Sequence, residues 1–215
     1  GELEMNGSRK IKASNKLSTR GKYGSTKMCR MIPWESSLER DFIKRLDFDP
    51  TVIYFEFQPV RIDFAYEGKR KKYYPDFLVQ KNDYKKYIYE VKANERTEDE
   101  QNIIKFQVGR KYCLENNMKY VVVTEEDIRQ GYLIENLDVL AEVREDSTNR
   151  RVMNEILHKI IQLGEKSTIH ELKLACGEID EAEFECNLYY LLYKHELYAD
   201  LINNLINDEL TIERK

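Results

Sequence analysis

Tyr74-Pro75-Asp76-Phe77-Leu78-Val79, a turn at Asn82-Asp83, and then Tyr87-Ile88-Tyr89-Glu90-Val91-Lys92: this stretch decides the fold. Residues 72–79 read as an aromatic, apolar strand interrupted by Pro75, and residues 86–92 as the strand that returns after the turn. Side chains alternate along a strand, so Ile88, Glu90 and Lys92 share one face while Tyr87, Tyr89 and Val91 take the other. Glu and Lys are rarely buried unless paired. A Glu and a Lys ending an aromatic strand therefore mark either a site of chemistry or a salt bridge. In the first reading Asp76 converges with Glu90 on a cation. In the second, Asp76 or Glu90 pairs with Lys92.

Working outward, residues 52–57 are apolar and aromatic, and Gln58-Pro59 breaks them. Residues 60–66 alternate Val60, Ile62, Phe64 and Tyr66 against Arg61, Asp63 and Ala65, the pattern of a half-buried strand, and Glu67-Gly68 turns the chain. Upstream, Leu38, Phe42, Ile43 and Leu46 recur at helical spacing. Ser36 or Ser37 caps that helix and Asp49-Pro50 ends it. Downstream come a long helix over 98–116, a short apolar strand over 120–123 and a helical stretch from Glu125 through Leu133, Leu137 and Leu140. Helix, three strands, helix, strand, helix is a mixed α/β domain. The polar stretch 143–150 reads as its boundary. Beyond it, Val152, Ile156, Ile160 and Leu163 form an amphipathic helix closed by Gly164. Ser167-Thr168 caps a short helix over 169–175 and Asp180 caps another over 183–194. Two short apolar segments within 197–212 read as a small hairpin that completes a winged-helix outline. The predicted organisation is a flexible basic arm over 1–30, the α/β domain over 31–147 and a small winged-helix domain over 148–215.

Composition narrows the classes. The chain has 215 residues, 41% hydrophobic and 34% charged, with 15 Tyr and 8 Phe, enough aromatic mass to exclude full disorder. No apolar run nears the ~20 residues that cross a bilayer. Gly1 to Met5 do not read as a signal peptide. Cys29, Cys113, Cys176 and Cys186 are scattered and never form CxxC, against a disulfide framework or a cysteine zinc site. A reducing, cytoplasmic setting is expected. The net charge of −4 is uneven: residues 1–30 carry +6 and residues 151–215 carry −6. A basic arm reads as a solvated tail or as a binding arm for nucleic acid or a partner.

His158, His170 and His195 all lie beyond residue 150, so the α/β domain holds no histidine for a nucleophile system or a zinc hydrolase. Chemistry there must run on carboxylates, lysines and a hard, oxygen-liganded metal such as Mg²⁺. Such a metal polarises a phosphate and acidifies its water, and Lys92 orients that water or offsets charge on the phosphorane. Glu39, on the first helix, completes the shell directly or through water, with Glu35 a competing candidate. Gln58 reads as a turn or edge residue that could touch the site. Lys105, Arg110 and Lys111 could contact phosphate and read by default as a solvated helix face, Tyr73, Tyr74, Tyr87 and Tyr89 as core and cross-strand pairs, and Trp34 as a hydrophobic staple.

The wider pattern is Trp34-Glu35-Ser36-Ser37-Leu38-Glu39-Arg40-Asp41-Phe42, Phe57-Gln58-Pro59-Val60, Tyr74-Pro75-Asp76-Phe77-Leu78-Val79, Tyr89-Glu90-Val91-Lys92 and Val121-Val122-Val123-Thr124-Glu125. In that order and spacing, over roughly 31–145, it resembles TnsA, the endonuclease subunit of Tn7-like transposons. The resemblance implies a restriction-endonuclease-like (PD-(D/E)xK) fold and Mg²⁺-dependent cutting, with Mn²⁺ as substitute, of the non-transferred strand near the 5′ transposon ends. It implies Glu39, Asp76 and Glu90 as metal-site carboxylates and Lys92 as catalytic lysine, Glu90 standing where some members carry Gln. It implies transposon-end DNA, a TnsB-like transposase and, through the C-terminal region, a TnsC-like AAA+ ATPase as partners, in a bacterial cytoplasm and away from membranes. Both CRISPR-guided and protein-guided transposons use such subunits. Two other readings stand beside this one: a non-catalytic docking module of a transposition complex, and a stand-alone restriction or repair nuclease of the same fold.

Overall fold

The structure, a computed structural model, describes residues 2–3, 11–12 and 20–215. The chain divides into two units, Gly1–Ile128 and Arg129–Lys215. In the first, the short strands β1 (Glu2–Leu3) and β2 (Ile11–Lys12) pair antiparallel, and β3 (Gly21–Ser25) forms a hairpin with β4 (Arg30–Trp34). The arm expected over 1–30 is corrected here: residues 21–30 belong to that hairpin. The cause is local chemistry at the end of the next helix, α1 (Ser37–Phe48). Lys27 Nζ donates to the carbonyls of Leu46 (2.7 Å) and Asp49 (2.6 Å), which the helix end leaves open. Ser25 and Thr26 hydroxyls donate to the buried Asp47 carboxylate. Residues 1, 4–10 and 13–19 of that arm lie outside the described residues.

Ser36 caps α1, its hydroxyl accepting from the Glu39 N–H at 3.1 Å. Trp34 is a strand residue packed on Gly21, where a Cβ would stand 2.6 Å from the indole. The Arg40 guanidinium lies 5.5 Å over its ring.

Next come β5 (Val52–Phe57), then β6 (Ile62–Tyr66) and β7 (Lys69–Tyr73), a separate two-stranded ribbon. Its turn, Glu67-Gly68, takes φ of 50° and 74°, as tight hairpins require. The strand expected over 72–79 is thus two strands. Pro75 has no N–H to give a ladder, so β7 ends before it and β8 (Phe77–Lys81) begins after it. β9 (Lys86–Val91), α2 (Glu100–Glu115), β10 (Lys119–Val123) and α3 (Glu125–Ile128) complete the unit.

The main sheet runs β10-β9-β8-β5, parallel between β10 and β9 and antiparallel elsewhere. It is the mixed sheet of a mixed α/β unit. On one face Phe42 of α1 meets Phe77 and Tyr89, ring centroids 5.4 and 5.2 Å away. α2 packs on Tyr120, whose ring lies where a Cβ on Gly109 would be, 2.2 Å away.

In the second unit, α4 (Leu133–Ala141), α5 (Arg150–Gln162), α6 (Ile169–Ala175) and α7 (Glu181–Tyr193) bury one core. The boundary therefore falls at 128/129 rather than 147/148. Leu133, Leu137 and Leu140 bury within this unit. Asn136 ties it down, donating to the carbonyls of Leu201 (2.8 Å) and Asn204 (2.7 Å) and accepting from Ile206 N–H. β11 (Lys166–Thr168), between α5 and α6, pairs with β12 (Thr211–Glu213). The apolar segments of 197–212 do not form a hairpin of two full strands; Tyr198 and Glu213 share one isolated bridge. Among the described residues no helix is long and apolar enough to cross a membrane.

Candidate active site

The ladder register builds the site. Phe77 pairs with Tyr89 across β8 and β9, so the next residues out, Asp76 and Glu90, stand opposite each other. Phe57 pairs with Phe77 across β5 and β8, which brings Gln58 opposite Asp76, and the Gln58 N–H donates to the Asp76 carbonyl at 2.7 Å. Gln58, Asp76 and Glu90 thus form one row across three strand ends. All three are buried, at 2%, 9% and 4% exposure. Lys92, half-buried, follows β9 and continues its pairing, its N–H donating to Val123 O at 3.0 Å.

Each carboxylate has one oxygen held. Asp76 Oδ2 accepts from the Val91 N–H at 2.7 Å. Glu90 Oε2 accepts from the Tyr73 hydroxyl, which also bonds the Tyr120 hydroxyl at 2.7 Å. Glu39 Oε1 accepts from the Glu35 N–H at 3.1 Å, a capping-box arrangement shifted by one residue. Glu39 is 5% exposed, the more enclosed of the two helix candidates. Glu35 is half-buried, accepts from Gln58 Nε2 at 3.4 Å, and its charge raises the proton affinity of both Glu39 and Asp76.

Burial pushes all three acids up. Glu39 rises through burial and then the charge of Asp76, with Glu90 adding to it. Asp76 rises through burial, against the opposing Val91 N–H and Lys92 ammonium. Glu90 rises to about 8 through burial, against Lys92 and Lys105. The mutual influence of these groups brings Glu39, Asp76 and Glu90 into one electrostatic cluster, with Lys92 and Lys105 as its cations. Lys92 lowers both Asp76 and Glu90, and burial outweighs it.

Three residues carry more than the sequence reading gave them. Lys105, assigned with Arg110 and Lys111 to a solvated face, is half-buried and acts on Asp76 and Glu90, whereas Arg110 and Lys111 are exposed. Its spacing held the signal, since Asn102, Phe106, Gly109 and Cys113 are the buried stripe of α2 and Lys105 flanks it. Tyr73, assigned to the core, is buried but aims its hydroxyl at Glu90. Gln58 belongs to the site row; only its place before Pro59 hinted at a special backbone.

The donor set is acidic and all-oxygen, which suits a hard divalent cation. Among the described residues no group of three or more His, Cys, Asp or Glu stands ready to hold a metal ion. Gln58 Oε1 is, among the described residues, the one buried side-chain oxygen or nitrogen without a hydrogen-bond partner. That amide oxygen, like the carboxylates, is a hard oxygen donor.

Residues 49–125 match the family described as TnsA-like endonuclease N terminal. The match spans Gln58, Asp76, Glu90 and Lys92 and leaves Glu39 upstream of it. No curated protein matches the chain. Over residues 49–125, which carry the main sheet and the row of Gln58, Asp76 and Glu90, the chain is similar to the TnsA-like endonuclease N-terminal domain.

Proposed function

We propose that this chain is a Mg²⁺-dependent DNA endonuclease of a Tn7-like transposase complex, cutting the non-transferred strand near the 5′ transposon ends. The observation that carries the reading is the pairing of buried Asp76 and Glu90 across β8 and β9, with Glu39 in their field and Lys92 beyond, inside a TnsA-like domain. The mixed sheet is in keeping with a restriction-endonuclease-like (PD-(D/E)xK) fold. Glu39, Asp76 and Glu90 would hold the cation, which supplies Lewis-acid charge to the scissile phosphate. The Val91 N–H and the Tyr73 hydroxyl fix the acids at the strand ends. The Lys92 ammonium orients the attacking water and offsets charge on the phosphorane. Nearby β7 carries Lys69, Arg70, Lys71 and Lys72, three of them exposed, three residues before Asp76. Duplex phosphates need such cations.

The acidic second unit suits a different task. Residues 151–215 carry −6, unfavourable for gripping DNA broadly and suited to a basic protein surface. We assign it the docking of a TnsC-like AAA+ ATPase, as a winged-helix-like module. The test of the nuclease reading pairs the chain with its TnsB-like transposase on transposon-end DNA. Asp76→Ala should abolish 5′-strand cutting, by 10³-fold or more on the order of other lost catalytic groups. It should keep its circular dichroism and leave 3′ cutting by the partner. Retained 5′ cutting would overturn the site assignment.

A further inference from the structure

Gln58 is unusual in four ways at once. It follows Phe57 at the end of β5 in the left-handed region, φ 46°, where a residue with a Cβ is strained. It is 2% exposed. Its backbone N–H is bonded to the strand of Asp76, so it cannot move out of the row it shares with Asp76 and Glu90. Its Nε2 donates to Glu35 Oε2, 3.4 Å away, and its Oε1 has no partner. The amide orientation follows from chemistry: turned over, the oxygen would face the Glu35 carboxylate and two acceptors would meet. A buried carbonyl oxygen left unbonded is costly and calls for a specific occupant.

The carboxylates supply the other half of the argument. No three acidic groups here form a metal shell by themselves, yet Asp76 and Glu90 face each other in one buried row, and the buried Glu39 and Gln58 both bond Glu35. A carbonyl oxygen is a good ligand for Mg²⁺ and Mn²⁺. Being neutral, it adds a donor without adding to the repulsion among the acids. A purely structural Gln would have bonded both ends of its amide.

Resting on the metal-dependent reading above, we propose that Gln58 gives its side-chain amide oxygen to the divalent cation that Glu39, Asp76 and Glu90 would hold, its amide nitrogen anchored on Glu35. Gln58 is then a metal ligand, and its left-handed backbone is what turns the amide into the row.

The experiment is Mn²⁺ titration calorimetry of the full chain with thermal melts in EDTA and in Mn²⁺. The chains are wild type, Gln58→Met, Gln58→Glu and Asp76→Ala. Gln58→Met is expected to melt in EDTA at or above wild type, because the orphaned oxygen is gone, and to bind Mn²⁺ at least about tenfold more weakly. Gln58→Glu is expected to melt lower in EDTA, with a further charge among acids, and to recover binding and a large Mn²⁺-induced rise in melting temperature. Gln58→Met binding like wild type while Asp76→Ala does not bind would overturn the ligand role and leave the metal site standing. Gln58→Met that melts well below wild type in EDTA, or fails to fold, would make the amide a structural prop and also overturn it. Absence of Mn²⁺ binding in every chain, wild type included, would remove the metal reading and the proposal together.

Discussion

Glu90 occupies a place where a carboxylate is expensive: 4% exposed, tied to Tyr73, with its pKa pushed up to about 8 by burial. A raised folded pKa means that the folded protein binds a proton more tightly than the unfolded chain does. Its stabilising share is whole below the ordinary value of 4.5 and disappears as pH climbs through about 8. The metal-free protein should therefore lose stability across that window, on the order of 2–4 kcal/mol from this residue. Glu90→Gln should abolish this share of the slope, which melts in EDTA from pH 5 to pH 9 would read directly. A bound cation reverses the sense, since it favours the ionised acid, so Mn²⁺ should bind wild type more tightly at pH 8 than at pH 6 and release protons as it does. The facing of Asp76 and Glu90 was legible in the sequence because the turn at Asn82-Asp83 folds the second strand back along the first. The contribution of Gln58 was not, because a left-handed residue obeys no alternation.

The crossover from β9 through α2 to β10 depends on a glycine. Gly109 lies in the middle of α2, where propensity alone favours alanine by about 1 kcal/mol. Here the Tyr120 ring fills the space of a Cβ. Gly109→Ala is expected to destabilise by about 1–3 kcal/mol through overpacking, net of any helix gain, in urea unfolding. It should also shift Tyr120, and with it the hydroxyl pair that holds Glu90. Periodicity revealed the elements well: β5, β9, α2 and β10 appear within a residue or two of their expected bounds. The misreadings came from contacts that no periodicity carries. The β3–β4 hairpin looked like an arm because its order depends on Lys27 reaching the end of α1. The β7–β8 break looked like one interrupted strand because each half pairs with a different neighbour. Lys105 was read by charge alone, when its place beside a buried stripe decides what it faces.

For the chain as a whole, the boundary at 128/129 changes what a C-terminal fragment must contain. α4 contributes Leu133, Leu137 and Leu140 to the second core and Asn136 to the loop after α7. Residues 129–215 should melt cooperatively, whereas residues 148–215 should be weaker by on the order of 5 kcal/mol, the burial of three leucines. Calorimetry of the two fragments decides it, and comparable stability would return the boundary to the polar stretch near 147. Docking of an ATPase is best tried with the longer piece. The β3–β4 hairpin has one more consequence. All four cysteines are free thiols, with Cys113 and Cys176 buried, Cys186 half-covered and Cys29 exposed on the β3–β4 turn. Burial also pushes the thiols of Cys113 and Cys176 up to about 11, so they are both hidden and unreactive. The native sequence thus carries its own attachment point: a maleimide dye should react first at Cys29, beside the Lys27 contacts that close α1, and report on that hairpin by fluorescence without any engineered residue.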